Sequence, residues 1–351
     1  MTEDSLPMVT VIAPCRNEAQ FIENILNSIL QGDYPADRME LIVVDGMSTD
    51  GTRQIVQKMA VQNNRIKLLD NPGKIQAAAM NVGIKASLGK YIARVDCHAV
   101  YPPDYVRKCV ELAERTGAAN AGGYWDTLPG ADTAKARAIA AATSSRFGVG
   151  NSVYRIGSDK QEQECDAAAA GTFRKEIFEK IGLYDERLVR NEDTEMNYRI
   201  RKSGGLIMIS SGIKVGYYNR ATYRGLWQQA FNNGLWNIYS IWLTGVRLFV
   251  RHLIPLFFVL GLIALTAGAF FWWPVKWLLL GCILLYLSAA AVSSIRIIRQ
   301  AKVSVVLVLL AYIVLHLGYG VGSLWGIITT PFRFPDRHKK SVGKASADRI
   351  A

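Results

Sequence analysis

Up to about residue 230, short apolar runs alternate with charged and Gly/Pro-rich stretches. Val9–Ala13 is a continuous apolar run stopped at Pro14, the pattern of a parallel strand buried on both faces. Ile22, Ile25, Leu26, Ile29 and Leu30 then recur at helical spacing, with Asn17 placed to cap that helix. Leu41–Val44 predicts a second strand ending at Asp45, and Asp50-Gly51 opens a helix over Thr52–Ala60. Ile66–Leu69 predicts a third strand, Gly73–Ala86 a helix, and Tyr91–Val95 a fourth strand ending at Asp96. Strands that alternate with helices imply a mostly parallel, Rossmann-like α/β sheet covered on both faces. Ligands of such sheets bind at the carboxyl ends of the strands, where Asp45 and Asp96 both fall.

After residue 230 the pattern changes. Leu253–Trp273, Trp277–Ile295 and Val303–Ile328 carry no charged residue, and each is about long enough to cross a bilayer. Trp272, Trp273 and Trp277 cluster between the first two runs, as an interfacial aromatic belt would. The expected organisation is a soluble domain at 1–232, an interfacial helix or linker at 233–252, a transmembrane region at 253–330 and a basic tail at 331–351. Met1–Pro7 holds Glu3 and Asp4 without Lys or Arg, so no signal peptide is expected and the soluble part stays cytoplasmic. Arg247 and Arg251 before the first run, and Arg296, Arg299 and Lys302 in the second loop, agree with that orientation. The basic tail also looks cytoplasmic, although three full spans would put it outside. The number of crossings therefore stays open, with Leu235–Val250 amphipathic enough to lie in the interface. Gly318, Gly320, Gly322 and Gly326 mark the last run for close helix packing.

The 41 Lys+Arg exceed the 29 Asp+Glu by 12, which favours an acidic partner: anionic lipid, nucleic acid or a phosphorylated ligand. The basic residues beside the apolar runs account for this charge, and no nucleic-acid motif accompanies them. Five scattered cysteines without a CxxC pair argue against a disulfide framework or structural zinc. The motifs GxxxxGK[ST], GxGxxG, G-x-S-x-G and H-E-x-x-H are all absent, which disfavours P-loop hydrolysis, dinucleotide binding, serine hydrolysis and zinc proteolysis. What remains is acidic chemistry at strand ends. Asp96-Cys97-His98 offers two metal donors at i and i+2, a pair suited to Mn²⁺ or Mg²⁺ shared with phosphate oxygens. Asn71-Pro72-Gly73-Lys74 is a turn leading into a helix whose free amides and lysine could face phosphate. Asn191-Glu192-Asp193-Thr194-Glu195 collects three carboxylates, and one held beside a bound cation-diphosphate would be a plausible general base.

These residues resemble a known family. Val9–Glu18 (VTVIAPCRNE), Ile42–Thr52 (IVVDGMSTDGT), Gly73–Gly83 (GKIQAAAMNVG) and Asn191–Arg201 (NEDTEMNYRIR) look like the successive motifs of family 2 inverting glycosyltransferases of the GT-A fold. Residues 94–105 (RVDCHAVYPPDY) and 165–188 are most similar to succinoglycan-type exopolysaccharide glycosyltransferases, which are membrane-bound. The resemblance implies that Pro14, Arg16 and Glu18 border the nucleobase and ribose, that Asp45 holds the uridine, and that Lys74 faces the donor. It implies that Asp96 begins a metal-binding D-x-D motif and that Asp193 is the general base. His98 stands where that motif has aspartate, leaving the second metal ligand to an imidazole.

Glu192, Arg220, Gln228, Gln229 and Trp236 are the candidates on the acceptor side. Gln228-Gln229 to Trp236 only loosely resembles the Q-x-x-R-W motif of processive synthases and lacks its arginine, which favours addition of a single sugar. The implied reaction moves a sugar, glucose by expectation, from a UDP-sugar to a lipid-linked polyprenyl-diphosphate saccharide. Other polysaccharide-assembly enzymes are expected as further partners, and a multi-pass inner-membrane location with a cytoplasmic catalytic domain is implied. The alternatives are a polyprenyl-phosphate sugar synthase and a processive polysaccharide synthase.

Overall fold

The computed structural model describes residues 5–335, so the expected basic tail lies outside the described residues from position 336 onward. The described chain forms two compact units, residues 5–126 with 157–217 and residues 127–156 with 218–335. β1 (Val9–Cys15), α1 (Ile22–Leu30), β2 (Met39–Asp45), α2 (Thr52–Gln62), β3 (Ile66–Asp70), α3 (Gln76–Ala86) and β4 (Tyr91–Arg94) alternate first. β5 (Ala99–Val100), α4 (Tyr105–Thr116) and β6 (Asn120–Leu128) follow. The chain then enters the second unit as α5 (Ala134–Thr143), α6 (Arg146–Val149) and α7 (Val153–Ile156). It returns through β7 (Glu162–Glu164), β8 (Ala169–Arg174), α8 (Glu176–Ile181), α9 (Glu192–Lys202) and β9 (Ile207–Tyr218), and ends in α10 (Tyr223–Thr244), α11 (Ile254–Phe271), α12 (Pro274–Ala301) and α13 (Val305–Arg333).

In the first unit the strands run in the order β3-β2-β1-β4-β8-β6-β9-β5, with β7 added to β9. The sheet is mixed. β1 pairs parallel with β2 and β4, and β2 pairs parallel with β3, whereas β4–β8, β6–β8, β5–β9 and β7–β9 are antiparallel. All seven residues of β2 are buried because helices cover both of its faces. Leu41 and Val43 join Val9, Val11 and residues of α1, α2 and α4 in one core. Ile42 and Val44 join Ile12, Ile92 and residues of α3, α8 and α9 in the other. Asn17 does not cap α1: its backbone is left-handed (φ 57°), and its side-chain oxygen instead accepts the Thr49 amide at 2.9 Å. The helix starts at Ile22 without a side-chain cap.

In the second unit α10 and α13 lie side by side, with small residues at the contact. A Cβ on Gly322 would fall 2.0 Å from the Phe231 carbonyl oxygen, and one on Gly234 would fall 2.0 Å from that of Tyr319. Backbones this close need glycine on both helices. Ala138, Ile139 and Ala142 of α5 share a core with Leu226, Ala290, Val308, Ala311 and Tyr312. The Tyr312 hydroxyl lies 2.8 Å from Ser145 Oγ, and His316 Nε2 donates to the Phe147 carbonyl at 3.0 Å. Among the described residues, three helices are long and apolar enough to cross a membrane: Ile254–Phe271, Pro274–Ile295 and Val305–Arg333. Residues 127–156 and 218–335 contain 13 Lys+Arg and a single acid, Asp132, so this unit alone carries a net charge of +12.

Candidate active site

Four loops leave the carboxyl ends of the parallel strands β1 to β4, and polar side chains lock them together. The Asn17 amide donates to Ser48 Oγ at 2.9 Å, and the Glu18 amide to Thr52 Oγ1 at 2.8 Å. Asp50 accepts the Ala19 amide at 3.1 Å and the Thr52 hydroxyl at 2.6 Å, so it fastens the β1 and β2 loops to each other. Asn81 ties α3 to the segment ahead of α9: its amide donates to the Tyr184 carbonyl (2.9 Å) and Glu186 (2.8 Å), and its oxygen accepts the Tyr184 amide (2.9 Å).

The β1, β3 and β4 ends enclose a cavity of about 260 Å³ lined by Pro14, Arg16, Glu18, Lys74, Asp96 and His98, six of the residues singled out in the sequence, together with Gln76 and Arg94. A larger apolar hollow of about 510 Å³ lies along α11, but its lining has no ionisable group. Lys74 adopts a left-handed backbone (φ 59°) in the turn before α3. His98 Nδ1 lies 3.7 Å from Glu18 Oε1. Among the described residues no three His, Cys, Asp or Glu side chains converge on one point. Asp96 and Glu18 contribute carboxylates and His98 an imidazole to the cavity wall.

Asp45 is not on the cavity wall. It is fully buried at the end of β2, where its carboxylate accepts the Ser48 hydroxyl at 2.5 Å and Arg53 Nη1 at 3.3 Å. Arg53 also reaches Asp70 at 2.6 Å. Asp45 thus shapes the loop between β2 and α2 from beneath. Asp193 is exposed in the first turn of α9, its carboxylate accepting the Thr194 amide at 2.7 Å. The helix beneath it is well anchored. Met196 and Ile200 are fully buried, and Arg199 pairs with Glu195 at 2.7 Å while donating to the carbonyls of Ile181 and Leu183.

Glu192, expected on the acceptor side, is 5% exposed and faces inward, with Oε1 3.5 Å from Arg94 Nη1. Desolvation and the neighbouring Asp193 charge push its carboxyl up to about 7, against the pull of Arg94. The folded protein therefore holds a proton that the unfolded chain releases between pH 4.5 and about 7. Stability falls as pH rises through that window. Glu192→Gln, which mimics the protonated form, is expected to flatten that part of the melting-temperature profile between pH 5 and 7.5.

Of the other acceptor-side candidates, all in the second unit, Arg220 and Gln228 are exposed and Gln229 is half-buried. Trp236 is buried against Tyr239, ring centroids 5.3 Å apart, so packing within its own unit occupies the indole. Sequence reasoning missed Gln76 and Arg94. Both reach Asp96 in the folded chain.

Comparison with known proteins identifies the family. Residues 10–182 match the family described as "Glycosyl transferase family 2". The chain is 36% identical over 239 residues to the succinoglycan biosynthesis protein ExoA of Rhizobium meliloti, covering 67% of this chain and 71% of that one. It belongs to the family 2 glycosyltransferases. A second relative, at 24% identity over 64% of this chain and 71% of its own, is a Methanococcus voltae enzyme named dolichyl N-acetyl-alpha-D-glucosaminyl phosphate 3-beta-D-2,3-diacetamido-2,3-dideoxy-beta-D-glucuronosyltransferase. Among solved structures, a mannosyltransferase from Pyrobaculum calidifontis, in complex with GDP-Man and Mn²⁺, shares the fold. The TM-score is 0.63 at 19% identity, over 92% of this chain and 88% of that one.

Proposed function

We propose that the protein is a membrane-anchored inverting glycosyltransferase of exopolysaccharide biosynthesis that moves one sugar from a UDP-sugar to a lipid-linked saccharide. The observation that carries this reading is the polar cavity at the strand ends, where Lys74, Asp96 and His98 line one space. The names of the relatives support the chemistry, and three apolar helices in a unit of net charge +12 support a site working against an anionic membrane that holds the acceptor lipid.

In this reading Lys74 attracts the diphosphate, and Pro14, Arg16 and Glu18 border the nucleobase and ribose, with Asp45 shaping the neighbouring loop from beneath. Asp193 takes the proton of the acceptor hydroxyl as that oxygen bonds to the anomeric carbon. The carbon–oxygen bond to the diphosphate breaks on the opposite face, and its electron pair leaves with UDP, so the anomeric configuration inverts. One carboxylate suffices, because UDP, unlike the leaving alcohol of a glycosidase, needs no acid. The donor set of one carboxylate and one imidazole fits Mn²⁺ or Mg²⁺ completed by diphosphate oxygens. Asp96 and His98 would hold such an ion, which would offset charge on the leaving group.

The test uses detergent-solubilised protein with Mn²⁺ and a panel of UDP- and GDP-sugars, offered lipid-linked monosaccharide or bare polyprenyl phosphate. Addition of one sugar to the saccharide acceptor, with inversion, is the expected result. Transfer only to bare polyprenyl phosphate would move the assignment to a polyprenyl-phosphate sugar synthase. Product ladders would make it a processive polymerase.

A further inference from the structure

Arg94 ends β4 with its side chain 14% exposed, and it faces two carboxylates from separate segments. Its Nε donates to Asp96 Oδ1 at 3.1 Å and its Nη2 to Oδ2 at 3.3 Å, the two-pronged geometry that fixes a carboxylate plane. Its Nη1 lies 3.5 Å from Glu192 Oε1, in the first turn of α9 next to Asp193. Gln76 Nε2 adds a further bond to Asp96 Oδ1 at 3.1 Å, and the Asp96 amide donates to the Tyr101 hydroxyl at 2.8 Å. Lysine has the charge of arginine but not the fork that holds two carboxylates at once.

We infer that Arg94 and Glu192 are positioning residues: Glu192 holds the buried Arg94, and Arg94 fixes the Asp96 carboxylate at the donor cavity in register with the helix turn that carries Asp193. Glu192 on this account never touches the acceptor; its carboxylate is turned away from solvent toward Arg94. The arrangement joins the donor side and the base side of the reaction through one guanidinium. The inference rests on the reading of Asp96 as the donor-side carboxylate and Asp193 as the base.

The test is titration calorimetry of UDP into the solubilised full-length protein over a series of Mn²⁺ concentrations, with donor kcat and KM measured alongside. Arg94→Lys is expected to raise the Mn²⁺ concentration needed for half-maximal UDP binding by roughly 10–100-fold, the usual cost of losing the group that orients a metal ligand. Glu192→Gln is expected to move the same quantity in the same direction by a smaller factor while leaving acceptor KM unchanged. The double variant should fall short of the sum of the two, because both substitutions act through one contact. If Arg94→Lys does not fold, the isosteric Glu192→Gln carries the test alone. Unchanged Mn²⁺ dependence in a folded variant, or a Glu192→Gln effect confined to acceptor KM, overturns the inference and leaves the proposed function standing. Wild-type protein that binds no UDP with Mn²⁺ overturns the UDP reading, and the inference falls with it.

Discussion

Asp193→Asn is expected to lower kcat by about 10²–10⁴-fold, the range a positioned general base supplies, while UDP binding stays within twofold of wild type. The substitution removes the basic oxygen and, with its charge, part of the upward push on the Glu192 carboxyl. Asparagine is isosteric, its side-chain oxygen can still accept the Thr194 amide, and asparagine is well tolerated where a helix begins. Nothing in the packing depends on this carboxylate: it is exposed, and α9 is held by Met196, Ile200 and the Arg199 contacts instead. The cavity that would hold UDP is lined by the β1, β3 and β4 ends, not by Asp193. Single-turnover transfer and UDP calorimetry on the same preparation separate the two quantities. Loss of UDP binding together with turnover would make Asp193 a structural residue, and full turnover would place the base elsewhere.

The parallel half of the sheet was legible because each strand is a run of β-branched and apolar residues stopped by a charge or a turn. Val9–Cys15, Met39–Asp45, Ile66–Asp70 and Tyr91–Arg94 are all of this kind, and the strand-end rule pointed to the edge where the polar cavity lies. The antiparallel half was not legible. β6 opens with Asn-Ala-Gly-Gly, β8 is Ala-Ala-Gly-Thr-Phe-Arg and β7 is Glu-Gln-Glu. These segments pair through backbone hydrogen bonds that leave no hydrophobic period to read.

The same contrast runs through the site. Residues on exposed turns, such as Lys74 and His98, announced themselves by type and spacing. Glu192 was visible as one of a run of acids, but which member turns inward depends on where α9 packs. Arg94 belongs to the same class of residue, since its partners lie 2 and 98 positions away in sequence and only the fold brings them together.

The most consequential of these hidden features is the stretch 127–156, which reads as ordinary soluble sequence and folds with the apolar helices. A chain cut after residue 232, the boundary that hydropathy suggests, keeps α5 to α7 and loses α12 and α13. Ile139 and Leu226, 0% and 1% exposed, would face solvent, forfeiting about 1.5–3 kcal/mol each. The hydrogen bonds from Ser145 to Tyr312, from His316 to the Phe147 carbonyl and from Tyr223 to the Leu307 carbonyl would be lost as well. Residues 1–232 are therefore expected to aggregate without detergent and to bind an apolar fluorescent dye. A chain that also replaces 127–156 by a flexible linker and stops at residue 217 should be monomeric and dye-silent, because every strand core of the first unit stays intact. Size-exclusion chromatography of the two fragments, with dye binding alongside, decides the matter. A soluble, monomeric, dye-silent fragment 1–232 would show that the contacts of α5 and α6 with α12 and α13 contribute little, and that the catalytic domain is independent of the helices.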